Sequence, residues 1–212
     1  MAERGAQRWF FDAWARVYDF PVVQWATYWP VHDAVLRALR APSVRRVLDI
    51  GCGTGQLATR IAQSLPRVRV VGCDFSAGML RRAAARSGGN RAARWVQGDA
   101  GRLPFRDGAF DAAVSTEAFH WFPDQDAALR ELFRVLAPGG RLLLALVNTP
   151  APLVSDVMYA GSRFVGEPFY WPTIRQMRRR VEGAGFRVER QQRIFRLPGF
   201  LLPPVLTRAV RP

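Results

Sequence analysis

The chain has 212 residues, 49% of them apolar, enough to build one core of ordinary domain size without disulfide or metal support. Its formal net charge is +14 and all 31 basic residues are arginine, a bias that a GC-rich genome produces as readily as a polyanionic partner does. Two cysteines, Cys52 and Cys73, exclude a disulfide framework and lack the spacing of a zinc site, so small buried thiols in a reducing compartment are expected.

The opening MAERGAQRWFFDAW has neither an apolar h-region nor a small-residue cleavage site, and no run approaches the ~18 apolar residues of a membrane span. A soluble cytoplasmic protein is the expectation. Nine aromatics lie between Trp9 and Trp29, four of them tryptophans. Trp9, Phe10, Ala13, Trp14 and Val17 recur at helical spacing. Two compatible readings follow: a helix packed on the domain, or a lid over a binding site.

From residue 44 to 149 strands and helices alternate. RRVLDI reads as a buried strand, QLATRIAQSL as an amphipathic helix and RVRVVGCD as a second strand. SAGMLRRAAARS follows as a helix with Ser76 as N-cap and Gly88 as stop signal. ARWVQGDA and FDAAVSTEA are the third and fourth strands, DQDAALRELFRVLAPGG is a helix closed by Pro-Gly-Gly, and RLLLALVN is the fifth strand. Apolar strands separated by helices predict an α/β fold, a mostly parallel, doubly wound, Rossmann-like sheet covered on both faces. PTIRQMRRRVEGAGF then reads as a helix capped at Gly185, and FRVERQQRIF as a strand. The uncharged stretch Leu197–Thr207 reads as a final edge strand or a surface loop.

The chemistry concentrates after the first strand, in VLDIGCGTG. Glycines at 51, 53 and 55 raise the entropic cost of folding, so the backbone there must turn sharply or let a ligand come close. Dinucleotides and S-adenosylmethionine (SAM) both fit such a turn. Asp74 ends the second strand, where an acid holds the ribose hydroxyls that both ligands carry. Gln56 stands where a further glycine of the dinucleotide fingerprint is wanted. Acidic strand ends suit the ammonium and sulfonium of SAM better than a pyrophosphate, which calls for helix N-terminal amides.

VLDIGCGTG, VVGCDFSAGML, GDAGRLPF, FDAAVSTEAFHWF and LFRVLAPGGRLLLAL, in this order and spacing, resemble the class I SAM-dependent methyltransferases, in the group of the UbiE-type quinone enzymes. The resemblance implies that Gly51, Gly53 and Gly55 pass under the methionine part of SAM and that Asp49 faces its ammonium. It implies ribose hydroxyls on Asp74, adenine packing by Phe75 and Met79, adenine reading by Asp99 with the Ala100 backbone, and Ser115 near the methionine end. It further implies one methyltransferase domain over 1–212, with an N-terminal helical lid (1–43), a SAM-binding core (44–149), and a substrate-side insert with the C-terminal helix and strands (150–212).

Methyl transfer from a sulfonium needs orientation and exclusion of water, and a base only when the acceptor must lose a proton. No metal is required, and no metal cluster is offered. His120, after the fourth strand, is the candidate base; the plain alternative is a histidine bonded to loop backbone or packed on Trp121. Glu117 is a rival base. FFDAWARVYD is similar to an N-terminal element of the quinone-type enzymes, which makes Tyr18 a second catalytic candidate, paired with His120. His32 is read as structural.

The aromatics of the segment Thr149–Trp171 and of the N-terminus predict an apolar pocket for a small lipophilic or aromatic acceptor: quinone-, phenol- or lipid-like. The basic charge keeps RNA open as an alternative acceptor, against which stand the absence of Asn-Pro-Pro-aromatic and Pro-Cys motifs. A non-catalytic SAM-binding regulator is a third reading. Peripheral membrane contact through LPGFLLPPVLT stays open, and the sequence carries no signal for oligomeric state.

Overall fold

The structure is a computed structural model that describes residues 28–89, 93–164, 169–195 and 203–212. The aromatic positions from Trp9 to Trp25, Tyr18 among them, lie outside the described residues, as does most of the stretch 197–204.

The elements in chain order are α1 (Trp29–Leu39), β1 (Arg46–Ile50), α2 (Gln56–Ser64), β2 (Arg69–Asp74), α3 (Ala77–Ser87), β3 (Ala93–Gln97) and β4 (Phe110–Thr116). They continue with a 3-10 turn at Phe119–Trp121, α4 (Gln125–Val135), β5 (Leu136–Leu146), α5 (Pro152–Phe164), α6 (Ile174–Gly183), β6 (Arg187–Arg193) and β7 (Val205–Val210). The strands form one seven-stranded sheet in the order β3-β2-β1-β4-β5-β7-β6. β1 to β5 run parallel, and β7 runs antiparallel to both β5 and β6.

Both faces are covered, which is why the parallel strands read as continuous apolar runs rather than alternating ones. On one face α1 and α2 bury Val31, Val35, Leu39, Leu57 and Ile61 against Val47, Val70 and Leu143. On the other, α4 and α6 bury Leu129, Leu132, Met177 and Val181 against Leu48, Leu142 and Leu144. Leu144 is fully buried, so Leu144→Ala is expected to cost about 2–5 kcal/mol, read as a lower urea midpoint with unchanged slope.

Local signals account for most boundaries. The Ser76 hydroxyl accepts from the Met79 N–H, and Gly88 ends α3 in the left-handed region. Asp124 caps α4 through the Ala127 N–H. Thr173 and Gln176 form a reciprocal capping box that starts α6.

Three readings change. The described end of the stretch that closes at Thr207 enters β7, which is not an edge strand: it inserts between β5 and β6, and β6 takes the edge. β7 sends Val205, Leu206 and Ala209 into the core, and Arg208 is its one charged residue. The helix before Pro-Gly-Gly stops at Val135, since Leu136 already pairs with Phe110, and an irregularity separates that contact from the regular ladder that resumes at Arg141. The segment after β5 holds a 13-residue helix, α5, where only a pocket-lining insert was expected.

Candidate active site

The sheet order reverses direction at β1, whose neighbours are β2 and β4. In open α/β sheets the crevice outside the carboxyl ends at that point is the natural ligand site. The glycine loop leaves β1 there, and the segment from Glu117 to Phe122 leaves β4 beside it.

Gly51 and Gly53 answer the question their cost raises. Gly51 has φ 66°, and a Cβ on it would sit 2.5 Å from the Ala118 Cβ, so the two loops touch through a missing side chain. Gly53 has φ 53°, and a Cβ there would meet nothing within 4 Å, so its backbone faces open space. Gly55 starts α2, and the Trp95 ring and the Ala83 methyl occupy the room its side chain would need.

Asp74 ties this loop to α3. One of its carboxylate oxygens accepts from the Gly53 N–H and the other from the Ser76 N–H, both at 2.9 Å. Each oxygen keeps a lone pair for a hydroxyl group. Burial raises the Asp74 pKa, and the N–H groups of Ser76, Gly53 and Phe75 oppose that rise.

Asp49 is the most perturbed acid. It is buried, its Oδ2 has no hydrogen-bond partner, and burial followed by the Asp74 charge pushes its pKa up to about 8. The Ala58 N–H works in the opposite direction. An orphaned carboxylate oxygen under a glycine loop is the mark of a cation acceptor. Ser115, fully buried with its Oγ also unpartnered, lies on the same edge.

The other predicted residues are distributed less evenly. Phe75 is exposed and Met79 buried on the first turn of α3, so their side chains flank the Asp74 end. The Asp99 Oδ1 accepts from the Gly101 N–H at 2.8 Å, an Asx turn that holds the backbone of Ala100 at the end of β3. Glu117 adopts φ 53°, the single non-glycine residue with positive φ among those described, so the loop after β4 is strained where it meets the glycine turn.

His120 is 6% exposed, and burial alone drives its pKa down to about 3. It is a neutral imidazole whose Nδ1 has no hydrogen-bond partner among the described residues. Its ring lies 5.2 Å from Trp121 and 5.3 Å from Trp171, and Phe169 lies 5.2 Å from both tryptophans. The Tyr170 N–H donates to the His120 carbonyl at 2.9 Å, so the segment after α5 is stitched to the loop after β4. His32, buried in α1 and pushed to about 3 by burial and by Arg60, sits in the helix that covers the sheet face.

Three polar residues of this region escape a reading of the sequence. The Gln125 Nε2 donates to the carbonyls of Phe119 and Tyr170 and clamps the two loops. The Asn148 Nδ2 donates to the Pro172 carbonyl and leaves Oδ1 unpartnered, and the Trp171 Nε1 is unpartnered and buried. For Gln125 and Asn148 the only sequence signal is position, since Gln125 opens a helix and Asn148 follows a strand, whereas Trp171 was expected only as an aromatic of the pocket.

SAM fits these residues: Asp49 for the ammonium, Asp74 for the ribose, and the open backbone of Gly53 between them. Among the described residues no group of three or more potential ligands gathers around a metal position, and no helix is long and apolar enough to cross a membrane.

Residues 48–144 match the family model described as a methyltransferase domain. A demethylmenaquinone methyltransferase of Deinococcus radiodurans is 43% identical over 112 residues, 52% of this chain and 46% of that protein. The chain thus spans about half the length of that curated relative. A demethylmenaquinone methyltransferase of Mycolicibacterium gilvum is 32% identical over 200 residues, 83% of this chain and 84% of that protein. Among solved structures, a chain of the complex of the Haloferax volcanii Trm112 methyltransferase activator superposes with a TM-score of 0.80 at 22% identity, covering 95% of this chain and 97% of that one. At that identity the likeness concerns the fold. The chain belongs to the class I SAM-dependent methyltransferases, in their UbiE-like group.

Proposed function

We propose that this chain transfers the methyl group of SAM to a small, flat, lipophilic acceptor of the quinone or phenol type. The observation that carries the reading is the pairing of two unsatisfied regions at one sheet edge. The buried, partnerless Asp49 oxygen under the glycine loop fits a cationic cofactor. The cluster of Trp121, Phe169 and Trp171 around a neutral His120 fits an aromatic acceptor that brings its own polar group. The demethylmenaquinone methyltransferases among its relatives agree with such an acceptor.

Bound SAM supplies a methyl group on a sulfonium, displaced in line with departure of a neutral thioether. The chain supplies the rest. Asp49 holds the ammonium, Asp74 orients the ribose, Phe75 and Met79 cover the adenine, and Asp99 with Ala100 reads its edge. Ser115 sets the methionine end. The aromatic side chains exclude water and align the acceptor plane. His120 accepts the acceptor's proton as the methyl group arrives, with Tyr18 as its partner. One methyltransferase unit over 1–212, its aromatic N-terminus closing over the site, completes the reading.

The test is transfer of labelled methyl from SAM to a demethylated naphthoquinol, compared with RNA and protein fractions. Label in the organic phase is the expected result. Label in RNA, or SAM binding with no transfer to any fraction, would overturn the acceptor assignment. Asp74→Ala, with two charge-assisted hydrogen bonds removed at about 1.5–3 kcal/mol each, is expected to weaken SAM binding by about 100-fold or more by calorimetry.

A further inference from the structure

Away from the glycine loop, four arginines converge on the sheet face that carries α1. Arg208 of β7 stands directly opposite Arg190 of β6, so both side chains emerge on one face as nearest cross-strand neighbours. On its other side Arg208 pairs with Leu143 of β5, and Arg141, two residues before, shares that face and is the diagonal neighbour of Arg208. Leu143 and Leu206 pack into the core beneath α1, which fixes the face. The Arg141 guanidinium reaches the Ala38 carbonyl in the last turn of α1, next to Arg37.

The quartet lacks the carboxylate partners that five other arginines have among the described residues. Arg46, Arg60, Arg134, Arg178 and Arg180 each meet a carboxylate within 3 Å. None of Arg37, Arg141, Arg190 and Arg208 has an ion pair among the described residues. Glu189, next to Arg190 in sequence, leans toward Arg187 at 3.8 Å, and Asp33, one turn before Arg37 in α1, pairs with Arg60. Arg208 is half-buried, and its Nε is fully buried without a hydrogen-bond partner. Burial and the fields of Arg190, Arg37 and Arg141 lower the Arg208 pKa, with Glu189 the one group acting against them. Repulsion among parallel cations on a rigid sheet is retained at a cost, and an anion would relieve it.

We propose that Arg37, Arg141, Arg190 and Arg208 form a binding site for a phosphate group, on the α1 face of the sheet and apart from the methyl-transfer site. A carboxylate carries one charge in one plane. A phosphate carries up to two, and its tetrahedral oxygens accept from guanidinium forks that approach from three strands and a helix. Arg37 and Arg190 are exposed, so a ligand has a way in, while the buried Arg208 Nε gives it a floor. The site requires neither SAM nor the proposed acceptor and stands or falls on its own.

The experiment is calorimetric titration of the full chain with inorganic pyrophosphate at fixed ionic strength, and sedimentation with phosphatidylcholine vesicles with and without phosphatidic acid. Wild type is expected to bind one of these saturably. Pyrophosphate binding identifies a soluble phosphate ligand, and binding only to the acidic vesicles identifies a lipid headgroup. In either case Arg208→Gln and, independently, Arg190→Gln weaken the binding at least tenfold and leave SAM affinity unchanged. Both variants are also expected to melt no lower than wild type without anion, because each removes a repelled charge. Absence of binding to both probes, binding that survives Arg190→Gln, or saturable binding of RNA with neither probe competing would overturn the proposal.

Discussion

Asp49→Asn is expected to raise the melting temperature of the SAM-free protein and to weaken SAM binding by about 10- to 100-fold, the scale of one charge-assisted hydrogen bond. Both effects come from one buried carboxyl whose Oδ2 is unpartnered and whose pKa is pushed up to about 8. The unfolded chain releases that proton near 3.8, so between 3.8 and about 8 the folded state holds a proton that the unfolded state does not. Stability from this group is complete at low pH and is lost as pH rises toward 8, by up to about 1.4 kcal/mol per unit. Asparagine removes that loss.

His32 and His120 act in the opposite direction. Both are held near 3 by burial, so below about 6.5 the unfolded chain gains two protons that the folded chain refuses. Their stabilisation is present above 6.5 and falls away in acid. Together the three groups place a stability maximum near pH 6.5, with a descending limb on the alkaline side that Asp49→Asn flattens. Urea denaturation at a series of pH values reads it directly. A wild-type stability still climbing from pH 6.5 to 8 would remove Asp49 as a buried neutral acid. SAM affinity has the complementary signature: it strengthens toward pH 8 and binding releases protons, because an ammonium favours the charged carboxyl.

Much of this site was legible before the fold was known, for a physical reason. The positive-φ glycines and the Ser76 cap work through backbone geometry within a few residues, and Asp49 and Asp74 each end or lie in a strand beside them; such constraints are written locally. β1 to β5 were legible because burial on both faces makes continuous apolar runs. The place of β7 was not, since insertion between β5 and β6 is a long-range pairing that no local pattern encodes. α5 was hidden because Leu153, Val154 and Val157 are exposed, so its apolar residues do not mark a single buried stripe. Gln125 and Asn148 act across 24 to 45 residues through side-chain bonds to backbone, and the arginine quartet is drawn from positions 37 to 208. The chain's excess of arginine was visible, but the convergence of four of them on one face was not.

His120→Ala is expected to lower turnover by about 10²–10⁴-fold, the usual contribution of general-base catalysis, with SAM affinity changed less than twofold. The wild-type rate is also expected to show no ionisation near pH 6.5. Burial keeps the imidazole neutral down to about pH 3, so its availability as a proton acceptor does not change across the physiological range. Such a weak base cannot ionise a resting hydroxyl group. It does not need to, because the proton on the acceptor atom, whether oxygen or ring carbon, becomes far more acidic as the methyl group bonds to that atom, and it leaves late. In the proposed reaction the unpartnered Nδ1 would take the proton, and the rings of Trp121 and Trp171 beside it would keep water from competing. His120→Gln separates this from a packing role, since glutamine offers a hydrogen-bond acceptor but no usable base. If His120→Gln retains wild-type turnover, His120 positions the acceptor and does not move its proton. If the wild-type rate instead rises through pH 6.5 and the variant's does not, the imidazole titrates freely and the site is wetter than its aromatic walls imply.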